Sequence, residues 1–300
     1  MLAFRQWMAN RIPAAAVRLA ASPYVGGDSL DSALELADSL WQRRGIRTTL
    51  DALGEEVHTA AQTEQALALY QQAADRARDR PWVTLSIKPS QFGCRLDRQI
   101  CEQQVRTLAR QCEAQGTGLT LDMEDTDLTD PTLALYRRLR PEFSTLGTVL
   151  QTRLFRTEGD LDSLAPVGGR VRFCIGVYAV PATVGHRRKA AAKDNLLALL
   201  PRALEVLDRV EIATHDEEVI RRAQRLVAAT PGARERVEFQ MLLGVPRQRL
   251  QDELMAAGHG VRLYLPFVDR WDDAEAYLRR RLAESPSLAG LVVRNLVSLD

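Results

Sequence analysis

The sequence predicts a parallel α/β barrel with a helical arm at its N-terminus. Short apolar runs alternate with longer amphipathic runs, and this alternation repeats eight times along the chain. Eight strand–helix units are typical of a (βα)8 barrel of the TIM type. No Gly/Ser-rich linker divides the chain, so we expect an arm over residues 1–45 and one barrel domain over residues 46–300. A doubly wound open sheet is the alternative, because alternation by itself does not establish closure.

The predicted elements follow one another in a regular order after a first helix at residues 29–44. The strands are the short apolar runs at residues 48–53, 82–87, 118–121, 145–150, 171–175, 210–213, 237–239 and 261–265. The helices are the amphipathic runs at residues 63–79, 98–115, 131–139, 160–164, 189–207, 217–229, 247–257 and 274–284. Asp272 and Asp273 suit the N-terminus of the last helix, and Pro286 ends it.

The composition excludes several classes of protein. With 40 basic and 39 acidic side chains the net charge is +1, which gives no support for nucleic-acid binding by bulk attraction. The four cysteines form neither a CxxC pair nor a disulfide framework, so we expect reduced thiols and a cytoplasmic protein. The four histidines lack an HExxH spacing, so we expect no metal centre. No apolar run is long enough to span a bilayer.

The first 27 residues allow two interpretations. They contain Arg5, Arg11 and Arg18 and no acidic residue before Asp28. Such a segment suits a targeting peptide or a helix on the inner face of a membrane. A packed helical arm is the interpretation that we favour, because apolar side chains such as Trp7 also occur there.

The predicted last helix carries a basic face. At helical spacing Tyr277, Arg280, Arg281 and Glu284 lie on one side. Two adjacent guanidiniums beside a phenol can bind a carboxylate in bidentate fashion. A solvated face with an Arg280–Glu284 pair is the alternative.

Polar side chains also follow the ends of the predicted strands, where barrels of this type carry their chemistry. They are Glu55, Lys88, Asp122, Gln151, Arg172, Thr214, His215, Gln240 and Tyr264. Each has a structural interpretation of its own: Lys88 could pair with Asp122, and His215 could belong to a capping turn. Their convergence on one rim favours a functional site.

An ordered set of motifs resembles the proline dehydrogenase family in its short, single-function form. The resemblance runs from about residue 50 to the C-terminus. Its motifs are Ser86-Ile87-Lys88, Leu121-Asp122-Met123-Glu124-Asp125, Leu150-Gln151, Val171-Arg172 with Gly176-Val177-Tyr178, Ala213-Thr214-His215, Glu238-Phe239-Gln240-Met241-Leu242-Leu243-Gly244, Tyr264-Leu265-Pro266 and the helix from Tyr277 to Glu284.

This resemblance implies a distorted (βα)8 barrel that holds FAD at the carboxyl ends of its strands without a Rossmann domain. It implies oxidation of L-proline to Δ1-pyrroline-5-carboxylate, the first step from proline toward glutamate. Hydride would pass from the proline ring to the flavin, and the electrons would pass to a membrane quinone. A peripheral membrane contact is therefore an open alternative for this chain.

The resemblance also assigns roles to single residues. Arg280 and Arg281 would clamp the proline carboxylate, with Lys88 as a third positive contact. Asp122 would orient Lys88 or a tyrosine, and Arg172 would lie against the flavin as the second catalytic residue. The other substrate contacts would be Tyr264, Tyr277, Leu243, and Glu55 paired with Arg280. The FAD contacts would be Met123, Gln151, Arg172, Ile175, Gly176, Val177, Thr214 and His215.

Two departures from the family's pattern leave alternatives open. Ile175 stands where most members have lysine, and Arg153 stands where many have an aromatic residue. Arg153 could partly replace the missing cation. One alternative is a flavoenzyme for hydroxyproline or another cyclic amino acid, and a second is an inactive binding barrel. A third is a cofactor-free lyase or isomerase that uses Lys88 as a Schiff-base amine.

Overall fold

The computed structural model describes residues 24–54, 57–176, 180–269 and 271. Within them the chain forms a closed barrel of eight parallel strands in sequential order, and the first strand pairs with the last. The predicted parallel barrel is therefore confirmed, and the open-sheet alternative is wrong. The predicted helix at residues 274–284 lies outside the described residues.

Strands and helices alternate as the sequence predicts. The strands are β1 (Arg47–Leu53), β2 (Val83–Ile87), β3 (Gly118–Leu121), β4 (Leu146–Gln151), β5 (Arg170–Cys174), β6 (Arg209–Ala213), β7 (Val237–Leu242) and β8 (Gly260–Val268). The helices are α1 (Leu30–Arg44), α2 (Ala60–Ala77), α3 (Arg98–Gln115), α4 (Thr126–Leu139), α5 (Thr157–Leu164), α6 (Lys189–Val206), α7 (Glu217–Ala229) and α8 (Gln248–Ala256). No helix among these is long and apolar enough to cross a membrane.

Several boundaries differ from the predicted ones because neighbouring elements decide them. Strand β7 continues past the apolar run because Leu242 still pairs with Tyr264, and β8 extends to Val268 because that residue pairs with Leu53. Helix α4 begins at Thr126 rather than at Pro131, which lies inside the helix. The helix start follows Asp125, whose side chain accepts a hydrogen bond from the backbone of Asp127.

The interior of the barrel is polar and the outer faces of its strands are apolar. Thr49 and Thr84 share a hydrogen bond of 2.9 Å inside the barrel, and Arg170 reaches Thr120 at 2.9 Å. The residues that alternate with these inward-facing ones along each strand face outward. Examples are Leu85 and Phe239, which are fully buried beneath the surrounding helices. This period of two separates a hydrophobic layer, which stabilises the fold, from an interior that can carry charges.

Candidate active site

Asp122 is the centre of a hydrogen-bonded cluster at the carboxyl ends of the strands. It directly follows β3, and its Oδ1 accepts hydrogen bonds from Ser86 Oγ at 2.7 Å and from Arg172 Nη1 at 2.8 Å. Its Oδ2 accepts a hydrogen bond from the hydroxyl of Tyr264 at 2.6 Å. One carboxylate therefore holds residues from β2, β5 and β8 together. The resemblance implies that Asp122 orients Lys88 or a tyrosine. In the structure, Asp122 accepts a hydrogen bond from Tyr264.

Lys88, at the end of β2, forms a buried ion pair with Asp51 of β1. The sequence suggested that Lys88 pairs with Asp122 and did not identify Asp51, whose side chain is 1% exposed. Burial raises the pKa of Asp51 above its usual range, and the Lys88 ammonium opposes that rise. The hydroxyl of Tyr70, in α2, also lies 3.4 Å from Asp51 and donates to the Ser86 carbonyl at 2.8 Å. The signal for Asp51 was a charged residue inside an apolar run, which is costly unless it is paired.

Arg172 is buried between two carboxylates and an aromatic ring. Besides its contact with Asp122, its Nε lies 3.5 Å from Glu211 Oε2, and its guanidinium carbon lies 5.2 Å from the centre of the Tyr264 ring. Burial acts to lower the pKa of Arg172, but Asp122 and Glu211 outweigh it and raise that pKa above its usual value. The side chain is therefore a permanent cation at this rim.

His215 lies directly before the first turn of α7 and is a neutral side chain. Its Nε2 accepts a hydrogen bond from the backbone N–H of Leu242 at 3.3 Å. Burial, followed by the charges of Arg247 and Lys189, lowers the pKa of His215 to about 4. The proton of the neutral ring then lies on Nδ1. The capping residue of α7 is Asp216, which accepts a hydrogen bond from the backbone of Val219, so His215 itself does not form the cap.

Gln151 and Gly176 lie side by side where β4 and β5 end. Gln151 Nε2 donates to the Glu124 carbonyl at 2.5 Å. Gly176 has a φ of +91°, and a Cβ on it would lie 2.7 Å from Gln151 Oε1. Both the left-handed backbone and the close contact require glycine here. Ile175 precedes it, and the Ile175 carbonyl accepts from the backbone of Arg153 at 3.1 Å.

The remaining predicted residues divide into those at the rim and those outside the described residues. Met123 follows Asp122 and is buried. Thr214 is buried at the end of β6, and its backbone N–H donates to the Gln240 carbonyl at 3.2 Å. Leu243 follows β7, and its N–H donates to the Tyr264 carbonyl at 2.9 Å. Outside the described residues lie Glu55, Val177, Tyr277, Arg280 and Arg281.

Comparison with known proteins points to one family. A family model described as proline dehydrogenase matches residues 33–181 and 178–293. The proline dehydrogenase of Deinococcus radiodurans is 36% identical over 285 residues, which cover 92% of this chain and 90% of that protein. Proline dehydrogenase 1 of Bacillus subtilis (strain 168) is 29% identical over 281 residues, which cover 93% of this chain and 91% of that protein.

A solved structure shares the fold. The crystal structure of proline utilization A from Bdellovibrio bacteriovorus, inactivated by N-propargylglycine, matches with a TM-score of 0.79 at 21% identity. The match covers 91% of this chain and 35% of that one, so this chain spans about a third of that protein's length.

Proposed function

The chain belongs to the proline dehydrogenase family, and on that premise we propose that it is an FAD-dependent enzyme that oxidises L-proline to Δ1-pyrroline-5-carboxylate. The oxidation breaks the ring C–H bond next to the nitrogen, removes the proton of that nitrogen and forms a C=N bond. When bound, FAD supplies the acceptor for the hydride, and a membrane quinone is the proposed acceptor of the electrons.

The single observation that carries this proposal is the cluster around Asp122. It joins a fixed cation, Arg172, and the hydroxyl of Tyr264 at the carboxyl ends of the strands, beside the Lys88–Asp51 pair. A chain that needed only a stable barrel could fill this rim with apolar residues, because buried ion pairs contribute little net stability. The presence of this charged cluster therefore supports a site for a charged substrate.

Two buried polar atoms support a flavin at this rim. Arg172 Nη2 and His215 Nδ1 have no hydrogen-bond partner within residues 24–54, 57–176, 180–269 and 271. Each unpaired buried group costs roughly 1–3 kcal/mol, and a flavin ring offers both donors and acceptors that could remove this cost. The residues proposed to hold FAD are Met123, Gln151, Arg172, Ile175, Gly176, Val177, Thr214 and His215.

The proposed substrate contacts are those that the resemblance to the family implies. Arg280 and Arg281 bind the proline carboxylate as two bidentate donors, and Lys88 adds a third positive charge. Tyr264 and Tyr277 enclose the ring, and Leu243 packs beside them. Asp122 holds the hydroxyl of Tyr264 so that the ring plane of this tyrosine is fixed before the substrate binds. Glu55 pairs with Arg280 and closes the site against water.

The ion pair of Lys88 disfavours the Schiff-base alternative. An ammonium that is bonded to the buried carboxylate of Asp51 has no lone pair with which to attack a carbonyl. Borohydride trapping of a substrate on Lys88 would revive that alternative.

The deciding experiment is a visible absorption spectrum of the purified protein before and after anaerobic addition of L-proline. We expect a bound flavin that bleaches, with Δ1-pyrroline-5-carboxylate as the product identified by mass spectrometry. Bleaching by hydroxyproline but not by proline would contradict the proposed substrate. A protein that neither contains nor takes up FAD would refute the proposal and favour the inactive binding barrel.

A pair of variants that each remove one positive charge separates the site from the rest of the surface. Lys88→Met should keep the flavin and raise the KM for proline, because one positive contact to the carboxylate is lost. Arg78→Met is the control, since Arg78 is exposed just after α2 and pairs with the exposed Asp75. It should behave as the parent protein does.

A further inference from the structure

We propose that Glu211 is a positioning residue for Arg172 and that it sets the reduction potential of the bound flavin. The proposal rests on the proposed function, because it requires FAD to lie against Arg172. Glu211 is a fully buried acid in the middle of β6, and the chemistry described above does not use it.

Glu211 lies beneath Arg172 in the barrel. The two residues are register partners in the β5–β6 ladder, and Glu211 Oε2 lies 3.5 Å from Arg172 Nε. The other oxygen, Glu211 Oε1, accepts a hydrogen bond from Arg170 Nη1 at 2.9 Å. Arg172 therefore has one carboxylate below it and a second, Asp122, at 2.8 Å on its rim side. Glu211 connects the inner charge layer of the barrel to the rim.

The contact between Glu211 and Arg172 is an ion pair without a hydrogen bond. Although they are 3.5 Å apart, neither Glu211 Oε2 nor Arg172 Nε has a hydrogen-bond partner in the described part of the chain. The interaction is therefore mainly one of charge. A glutamine at position 211 has nearly the same shape and still offers an oxygen to Arg170, so the substitution removes the charge and little else.

Arg170, Glu211, Arg172 and Asp122 form a chain of charge contacts, which we call the charge column, and its charges cancel. Arg170 and Arg172 supply two positive charges, and Glu211 and Asp122 supply two negative ones. Glu238, the register partner of Glu211 in β7, is compensated by Arg262 at 2.6 Å. Interactions between charges are screened weakly in a buried interior, so the loss of one member changes the potential at the rim. Charge near a flavin ring tunes its electronic properties.

Two substitutions should shift the flavin potential in opposite directions. Glu211→Gln leaves one extra positive charge at Arg172, which would favour the electron-rich reduced form of a bound flavin, so the potential should rise. Arg170→Gln leaves one extra negative charge on the same column, so the potential should fall. We expect each to change the ratio of reduced to oxidised flavin by about tenfold, which is about 30 mV for a two-electron couple.

The potential is measured on the FAD-loaded proteins by anaerobic titration with a reference dye, which needs no proline. Glu238→Gln is the matched control, because it removes a buried carboxylate of the neighbouring strand that does not contact Arg172. It should shift the potential less than Glu211→Gln does. The free energy of unfolding is measured alongside, since a purely structural role would lower stability in all three variants without a sign change in potential.

The outcomes separate this inference from the proposed function. If the parent protein binds FAD and is reduced by L-proline, but both variants keep its potential or shift it in the same direction, the inference about Glu211 is overturned and the function stands. If the parent protein binds no FAD, both the inference about Glu211 and the proposed function are refuted. If Glu211→Gln does not fold, Arg170→Gln decides alone: an unchanged or raised potential overturns the inference.

Discussion

The ion pair between Arg262 and Glu238 inside the barrel permits a quantitative prediction. Arg262 Nε donates to Glu238 Oε1 at 2.6 Å, and both side chains are almost fully buried. Arg262 Nη1 also donates to Thr84 Oγ1 at 3.0 Å. Arg262→Met keeps much of the side-chain volume but removes the cation, so Glu238 keeps the more distant ion pair with Arg47 at 3.3 Å and the hydrogen bond from Gln240 Nε2 at 3.0 Å.

The size of the effect follows from the pKa of Glu238. Burial acts to raise this pKa, but Arg262, together with Arg47 and Arg209, outweighs burial and lowers it from 4.5 to about 2. One pKa unit corresponds to about 1.4 kcal/mol, so ionisation of Glu238 is about 3 kcal/mol more favourable in the folded protein than in the unfolded one. Removal of one partner from a buried pair typically costs about 3–5 kcal/mol. We therefore expect Arg262→Met to lower the free energy of unfolding by about 3 kcal/mol at pH 7.

The effect must depend on pH with a definite sign. In the parent, the depressed pKa of Glu238 contributes stability that is present above 4.5 and is lost as the pH falls through about 2. In the variant, the carboxylate of Glu238 is buried without its main partner, so its pKa in the folded state rises. Protonation of this carboxylate then stabilises the folded variant. The unfolded state is the same in both proteins, so the difference between parent and variant should be largest at neutral pH and should shrink as the pH falls through the raised pKa of the variant toward about 2.

Urea unfolding followed by circular dichroism at pH 7 and pH 4 measures this difference. The double variant Arg262→Met/Glu238→Gln is the control, because it removes both charges and should be more stable than Arg262→Met at pH 7. An equal loss of stability at both pH values, or a double variant that is no more stable than the single one, would refute the reasoning.

Three further predictions concern the proposed site. Tyr264→Phe removes the hydroxyl that donates to Asp122 at 2.6 Å. Because a hydrogen bond to a charged group contributes about 1.5–3 kcal/mol, kcat/KM for proline should fall by roughly ten- to a hundredfold. Steady-state kinetics measures this fall, and the flavin content should stay unchanged. Gly176→Ala forces a left-handed residue against Gln151 Oε1 at 2.7 Å, so thermal unfolding should show a loss of about 1–3 kcal/mol and the purified protein should retain less FAD. Arg281→Lys should raise the KM for proline strongly, because an ammonium cannot reproduce a bidentate contact with a carboxylate.

Each of these predictions has its own control or contradicting result. Flavin loss in Tyr264→Phe would mean that the hydroxyl stabilises the site as a whole. Gly116→Ala is the control for Gly176→Ala, since Gly116 also has a positive φ of +69° but faces open space, and it should leave FAD retention unchanged. An Arg281→Lys protein that saturates with proline as the parent does would exclude the carboxylate clamp.

The sequence was sufficient for the order of strands and helices in the described part of the chain. Three predicted elements, β3, α3 and α7, have the predicted bounds, because a turn or cap residue such as Gly116 or Asp97 lies at their ends. Boundaries that depend on a neighbouring strand were missed, as in β8, which continues through Pro266 to pair with β1. Local sequence patterns predict which element forms and which residues cap it. The length of a strand also depends on how far the neighbouring strand continues to pair with it.

The partners of the site residues could not be predicted in the same way. Lys88 and Asp122 were recognised as charged residues after apolar strands, but the carboxylate that pairs with Lys88 is Asp51, 37 positions earlier in the chain. Glu211 carries the same signal as Asp51, a single acid inside a short apolar run, but that pattern is also compatible with an outward-facing position and does not identify its partner.

The sequence by itself therefore determined the order of the eight strands and of the helices between them, the family to which the motifs belong and the rim on which polar residues collect. Each of these depends on spacing along the chain. Only the tertiary structure decided that β1 pairs with β8, that Asp122 joins Tyr264 to Arg172, and that Glu211 lies beneath that arginine. Those contacts join residues from different strands, and they exist only because closure of the barrel turns alternate side chains into one shared interior.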